Sequence, residues 1–161
     1  PVGRPHRQAP DMSVKIHVTR TDGSDPDLPL PSYETPGAAG ADLRADTGGQ
    51  TITLLPGGRS LIGTGLQVAI PKGFEMQIRP RSGLALKHGV TLANAPGTVD
   101  SDYRGPLGVI LINLGDAPFD VTHGMRIAQA VVAPVVQARY DLAPELDRTN
   151  RGSNGFGSTG T

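Results

Sequence analysis

The stretch RPRSGLALKHG, residues 79–89, sets Arg79, Arg81 and Ser82 just ahead of a short run of helix formers that opens on Gly83. Free N–H groups at a helix start, one hydroxyl and a guanidinium together suit an anion. A plain Ser N-cap flanked by solvated arginines suits the same residues. A second stretch, NAPGTVDSDYRG at 94–105, holds Asp100, Asp102, Tyr103 and Arg104 between two strand signals. On a regular strand the two aspartates would share a face. Such a pair can activate water or hold Mg²⁺. A polar hairpin tip carries acids just as readily, and spacing does not choose between Asp100 and Asp102.

Three further stretches carry weaker signals. AGADLRA, residues 39–45, places Asp42 before an apolar residue, where an acid is usually a cap or a surface group. GMRIAQ, residues 124–129, offers Arg126 and Gln129 on one short strand. RGSNGFGSTG, residues 151–160, has the Gly, hydroxyl and Arg content that suits phosphate, with Phe156 as its lone aromatic. It lacks the Gly-Lys-[Ser/Thr] leading into a helix that a P-loop needs, and a Gly/Ser tail is ordinarily disordered. His6, His17, His88 and His123 show no metal-ligand spacing. No G-x-S-x-G nucleophile elbow is present.

These groups must be positioned by strands. SVKIHVTR, residues 13–20, alternates Val14, Ile16 and Val18 with Lys15, His17 and Thr19, the pattern of a half-buried strand. TITLL, SLIGTGLQVAI and FEMQIRP follow, separated by Pro-Gly-Gly and Pro-Lys-Gly turns. LGVILINL, residues 107–114, is nearly all apolar and reads as a strand buried on both faces. FDVT and MRIAQAVVAPVV complete the set, and the one helix expected is short, over 82–87, ended by His88-Gly89. Strands at this density, punctuated by Gly and Pro, make an all-β sandwich, jelly roll or small barrel.

The chain has 161 residues, room for one domain with a real core. Residues 1–11 read as a disordered lead, 12–147 as the folded domain and 148–161 as a flexible arm. With no Cys there is neither a disulfide framework nor a thiolate metal site. Fifteen basic and 15 acidic residues give a formal charge of +0, so the basic excess of a nucleic-acid binder is missing. No apolar run reaches membrane-spanning length, and the default expectation is a cytoplasmic protein.

Taken in order, AGADLRA, RPRSGLAL, NAPGTVDSDYRG, GMRIAQ and RGSNGFGSTG closely resemble the five ordered motifs of the trimeric deoxyuridine triphosphatases, the dUTPases. The resemblance runs from about Val14 to the C-terminus. It implies a distorted jelly roll of the β-clip kind with one short helix, assembled as a homotrimer with active sites at subunit interfaces. It implies hydrolysis of dUTP to dUMP and diphosphate, with Mg²⁺ held mainly by the substrate's phosphates. Carried over by position, Asp100 resembles the general base and Tyr103 the aromatic that stacks on deoxyribose. Asn94, Thr98 and Val99 resemble the uracil reader. Arg81, Ser82, Gly83 and Gln129 resemble the phosphate grip, and Asp42 the acid near the Mg²⁺ hydration shell. Arg151, Phe156, Gly157, Ser158 and Thr159 resemble an arm that closes over a neighbouring subunit's site. Two positions depart from the family pattern. Asn154 stands where a Gly is usual, and Met125 stands where an acid is frequent, which puts a local ion pair in question. The related dCTP deaminases and a non-catalytic nucleotide-binding module are the competing readings.

Overall fold

The computed structural model describes residues 13–155. The chain gives ten strands and one helix in the order β1 (His17–Arg20), β2 (Ala41–Arg44), β3 (Ile52–Leu54), β4 (Arg59–Ala69), β5 (Phe74–Arg79), α1 (Ser82–His88), β6 (Val90–Leu92), β7 (Gly97–Val99), β8 (Pro106–Asn113), β9 (Phe119–Val121) and β10 (Arg126–Pro134). One sheet runs β1-β4-β8-β6, a second β2-β10-β5-β7, and β3 pairs with β9 in a two-stranded ribbon. Every ladder is antiparallel. This is the all-β, jelly-roll-like architecture expected from the strand pattern.

Alternation sets the packing. In β4, Ile62, Thr64, Leu66 and Val68 point inward, and in β8 Leu107, Val109, Leu111 and Asn113 meet them. Met76 and Ile78 of β5 and Ile127, Ala128 and Ala130 of β10 close the core from the second sheet. Two of the buried polar residues, Thr64 and Asn113, are satisfied within the core. Thr64 donates to the Leu107 carbonyl at 2.7 Å, and the Asn113 amide donates to Leu54 O and Ala117 O while accepting from Gly115 N. A buried amide with all its partners ties the β3 ribbon to β8 at little net cost.

Three local expectations need correction. β8 is not buried on both faces: its second set, Gly108, Ile110 and Ile112, is only half-buried among the described residues. The acidic stretch of 94–105 is not a hairpin tip: β7 bonds β5 in one sheet, and β8 bonds β4 and β6 in the other. The loop between them therefore crosses from sheet to sheet. Finally, Ser82 is not the N-cap of α1. Arg81 occupies that position with extended backbone, φ −92 and ψ 126, and no side-chain cap bond forms. The helix ends as expected, with Gly89 left-handed at φ 67 and its N–H on Ala85 O and Leu84 O.

After β10 the chain leaves the core. Val135 still donates its N–H to Gly73 O at 2.9 Å, but 134–154 is exposed throughout. The exposed stretch thus begins well before residue 148.

A polar cluster fastens the loop after β1 to the loop after β2. Thr47 N donates to His123 Nδ1 at 3.2 Å, which leaves the ring proton on Nε2, and Nε2 donates to Asp25 Oδ2 at 2.8 Å. The bond from His123, then the Asp27 N–H, hold the Asp25 carboxyl below its ordinary value of 3.8. A carboxyl lowered by folding stabilises the protein above its unfolded value and loses that contribution as pH falls through the folded one. Asp25→Asn should therefore melt below the parent protein at about pH 6, with the gap narrowing below about pH 4. Thermal denaturation across that range checks this, and a gap independent of pH would assign the loss to something other than the carboxylate.

Candidate active site

The sequence motifs fall into two groups in space. The first sits where β2 and β10 pair, with Gln129 opposite both Asp42 on β2 and Arg79 on β5. Asp42 is no cap and no surface acid: its side chain is 2% exposed. Its Oδ1 accepts from Arg81 Nε at 3.2 Å and from Gln129 Nε2 at 3.4 Å, and its Oδ2 accepts from Arg126 Nη1 at 3.0 Å. Arg81 Nη1 also donates to the Arg126 carbonyl at 3.4 Å. Gly40 packs closely beside this cluster, since a Cβ there would lie 3.0 Å from Gln129 Cβ. Ser82 and Gly83 are exposed and begin α1 directly after Arg81. The N–H groups of that first turn have no partner inside the helix, so a guanidinium, a hydroxyl and free N–H donors converge as an anion-binding set.

The second group lies on β7 and the turn behind it. Gly97, Thr98 and Val99 pair with Ile78, Gln77 and Met76, and the other edge of β7 has no strand partner among the described residues. Thr98 is exposed, Val99 buried, and Asn94 is exposed with its amide lying against Gly97. Asp100 follows, exposed, and its carboxylate takes no hydrogen bond from the described residues. The turn beyond it is stapled. Tyr103 N donates to Asp100 O at 3.2 Å, and Arg104 Nη1 bonds Ser101 O and Tyr103 O. Gln67 Nε2 from β4 bonds Arg104 O at 2.7 Å. The Tyr103 hydroxyl donates to Pro106 O at 3.0 Å, laying the ring across Gly105, where any Cβ would collide with it. Asp100 opens onto a cavity of about 980 Å³ that Lys72, Glu75, Asp102 and Arg104 also line. A free carboxylate on a rigid turn beside an open strand edge can orient water and read a planar ring.

The two groups do not meet within one chain. Asp100 lies one residue beyond the Val99–Met76 pair, at the start of β5, whereas Arg81 lies past its far end at Arg79. At strand rise that separates them by about 15–20 Å. Arg151 is exposed on the arm, with its Nε bonded to Asn154 O at 2.9 Å. The left-handed residue of that turn is Gly152, φ 54. Phe156, Gly157, Ser158 and Thr159 lie outside the described residues. Met125 is half-buried against the core, and the ion pairs of the adjacent Arg126 run to Glu34 and Asp42 instead. Glu34 and Gln67 had no signal in the sequence, since each acts only through a partner far along the chain.

For Mg²⁺, the donor set fits an ion that arrives on a substrate. Asp42 has both oxygens taken, and no cluster of three or more His, Cys, Asp or Glu suited to a metal occurs among the described residues.

Comparison with known proteins agrees. Residues 27–160 match the family described as dUTPase. A deoxyuridine 5'-triphosphate nucleotidohydrolase of Roseobacter denitrificans is 63% identical over 147 residues, 91% of this chain and 97% of that protein. One from Anaeromyxobacter is 54% identical over 149 residues, covering 92% of this chain and 99% of its own. Among solved structures, a variant of the dUTPase of Staphylococcus bacteriophage 80alpha with dUpNHpp superposes with a TM-score of 0.80 at 22% identity, covering 91% of this chain and 99% of that one. A phage phi11 dUTPase, described with a structural Mg(II) ion, gives 0.71 at 20% identity over 81% and 97% of the two chains. At such identities these two speak for the fold alone. The fold is jelly-roll-like, and the family match with the curated relatives makes the class a nucleotide hydrolase. The chain belongs to the dUTPase family.

Proposed function

We propose that this protein hydrolyses dUTP, presented as its Mg²⁺ complex, to dUMP and diphosphate. The observation that carries this reading is the Asp100–Tyr103 turn, which holds an unpaired carboxylate and an exposed aromatic ring beside the open edge of β7. Asp100 accepts a proton from a water placed in line with the α-phosphorus. The new bond joins that water oxygen to the α-phosphorus, and the bond to the bridging oxygen breaks to release diphosphate. A carboxylate is a weak base, so positioning and charge stabilisation carry most of the acceleration. Mg²⁺ bound to the phosphates spreads their negative charge. Arg81, Ser82, Gly83 and Gln129 hold the phosphate chain.

Main-chain donors and acceptors at 97–99, with the Asn94 amide, pair with the edge of uracil. Cytosine reverses the pattern at its 3 and 4 positions and leaves buried groups unmatched, which discriminates strongly. Tyr103 stacks on deoxyribose and leaves no room for a 2′-hydroxyl. The distance between Asp100 and Arg81 within one chain supports a homotrimer in which a site takes these residues from different copies. The arm, 148–161, then closes over a neighbour's site, with Arg151, Ser158 and Thr159 on the phosphates and Phe156 over the base. In a cell this reaction limits uracil in DNA and supplies dUMP for thymidylate synthesis, in the cytoplasm.

A product assay with dUTP, dCTP, dTTP and UTP in the presence of Mg²⁺ tests the reading. It expects dUMP and diphosphate from dUTP alone. Ammonia from dCTP would move the protein to the deaminases, and binding of dUTP without turnover would make it a binding module.

A further inference from the structure

Arg81 does not sit alone on Asp42. Arg126 Nη1 occupies Asp42 Oδ2 at 3.0 Å, and the same nitrogen lies 3.3 Å from Glu34 Oε2. Gln129 shares Oδ1 with Arg81. Arg81 makes a single bond to the carboxylate, through Nε, and its outer nitrogen, Nη2, makes none to the described residues. A guanidinium beside a carboxylate ordinarily prefers the two-bond fork. Here Arg126, not Arg81, donates to the second oxygen.

We propose that Arg126 is a positioning residue for anion binding: by filling Asp42 Oδ2 it keeps the Arg81–Asp42 pair single-bonded and the outer edge of Arg81 turned toward substrate. The proposal rests on the reading of Arg81 as a phosphate-holding group. Glu34, whose side chain is 54% exposed, anchors Arg126 from the other side. The isolated Ser32–Asp42 bridge brings its loop there. Asp42 thus holds both arginines, one on each carboxylate oxygen. Without Arg126, a carboxylate that is 2% exposed loses a partner, which is costly in a buried site. Arg81 then folds onto both oxygens and withdraws from the ligand.

The test is binding of inorganic diphosphate, measured by calorimetry on the full chain, in a cycle of variants. Arg126→Met should raise Kd about tenfold, the scale of one charge-assisted bond. Arg126→Lys, which can still reach Oδ2, should recover most of that affinity. In an Arg81→Gln background the further change Arg126→Met should alter Kd less than about twofold, because the effect runs through Arg81. Adding Asp42→Asn to Arg126→Met should restore part of the affinity by removing the competing acceptor. A destabilised fold would not spare the Arg81→Gln background, so additive losses there overturn the proposal, as does unchanged binding by Arg126→Met. Diphosphate binding decides this even if dUTP is not turned over. Failure of the parent protein to bind diphosphate would remove Arg81 from anion binding, and the brace with it.

Discussion

Asp100→Asn should fold, bind dUTP with nearly the parent affinity, and turn it over at least about 10²-fold more slowly, the lower range for loss of a general base. The side chains match in size, and the Asp100 carboxylate takes no hydrogen bond from the described residues, so no internal contact is lost. The Tyr103 N–H bond runs to the main-chain oxygen of residue 100 and survives the change. What the amide cannot do is accept the proton of the attacking water. Diphosphate release and a binding titration with a non-hydrolysable analogue separate the two effects. Turnover within about twofold of the parent would remove Asp100 from its role.

Deleting 151–161 should produce the second large effect. The segment leaves the core far behind: 134–154 is exposed, and the described bonds of Arg151 and Gly152 stay within their own turn. Its removal should leave the melting temperature nearly unchanged, while kcat/KM for dUTP falls about 10²-fold through lost closure and phosphate contacts. Ordering a Gly-rich arm has an entropic cost that contacts to the ligand must offset, so the arm acts only with nucleotide present. A truncated protein with full activity would show that closure plays no part.

The strand framework was legible because burial in a sheet has period two. The alternation of Phe74, Met76 and Ile78 in β5 read as its inward set, of which Met76 and Ile78 are buried, and Gly-Pro punctuation marked the turns between strands. Pairing was less legible. The acidic stretch ahead of β8 read as a hairpin tip, yet β7 before it pairs with β5 and β8 after it pairs with β4 and β6 in the other sheet. The apolar run of β8 suggested two covered faces, but composition does not say which neighbours exist to cover them.

The site was legible in its residues and opaque in its geometry. Asp42 looked like a surface acid because its chain neighbours are small. Its burial comes from Arg126, 84 positions away, and Arg81, 39 positions away. Glu34 and Gln67 act by reaching across loops, and no local pattern marks such contacts. That Asp100 and Arg81 stand at opposite ends of β5 follows only from the register of β7, which the sequence does not encode in any short motif. The arrangement matters because the proposed function assigns both groups to one substrate, while one chain holds them at opposite ends of a strand.

The most direct test of this account is subunit complementation. Asp100→Asn and Arg81→Gln are each prepared alone, assayed, unfolded together in equal amounts, and refolded as a mixture. If one copy supplies Asp100 and another Arg81, roughly one site in four in a randomly assembled mixture carries both native residues. The account predicts that two nearly inactive proteins regain a substantial fraction of parental dUTP hydrolysis on mixing. A refolded mixture no more active than its parts, while the parent protein recovers fully under the same treatment, would contradict a site shared between copies.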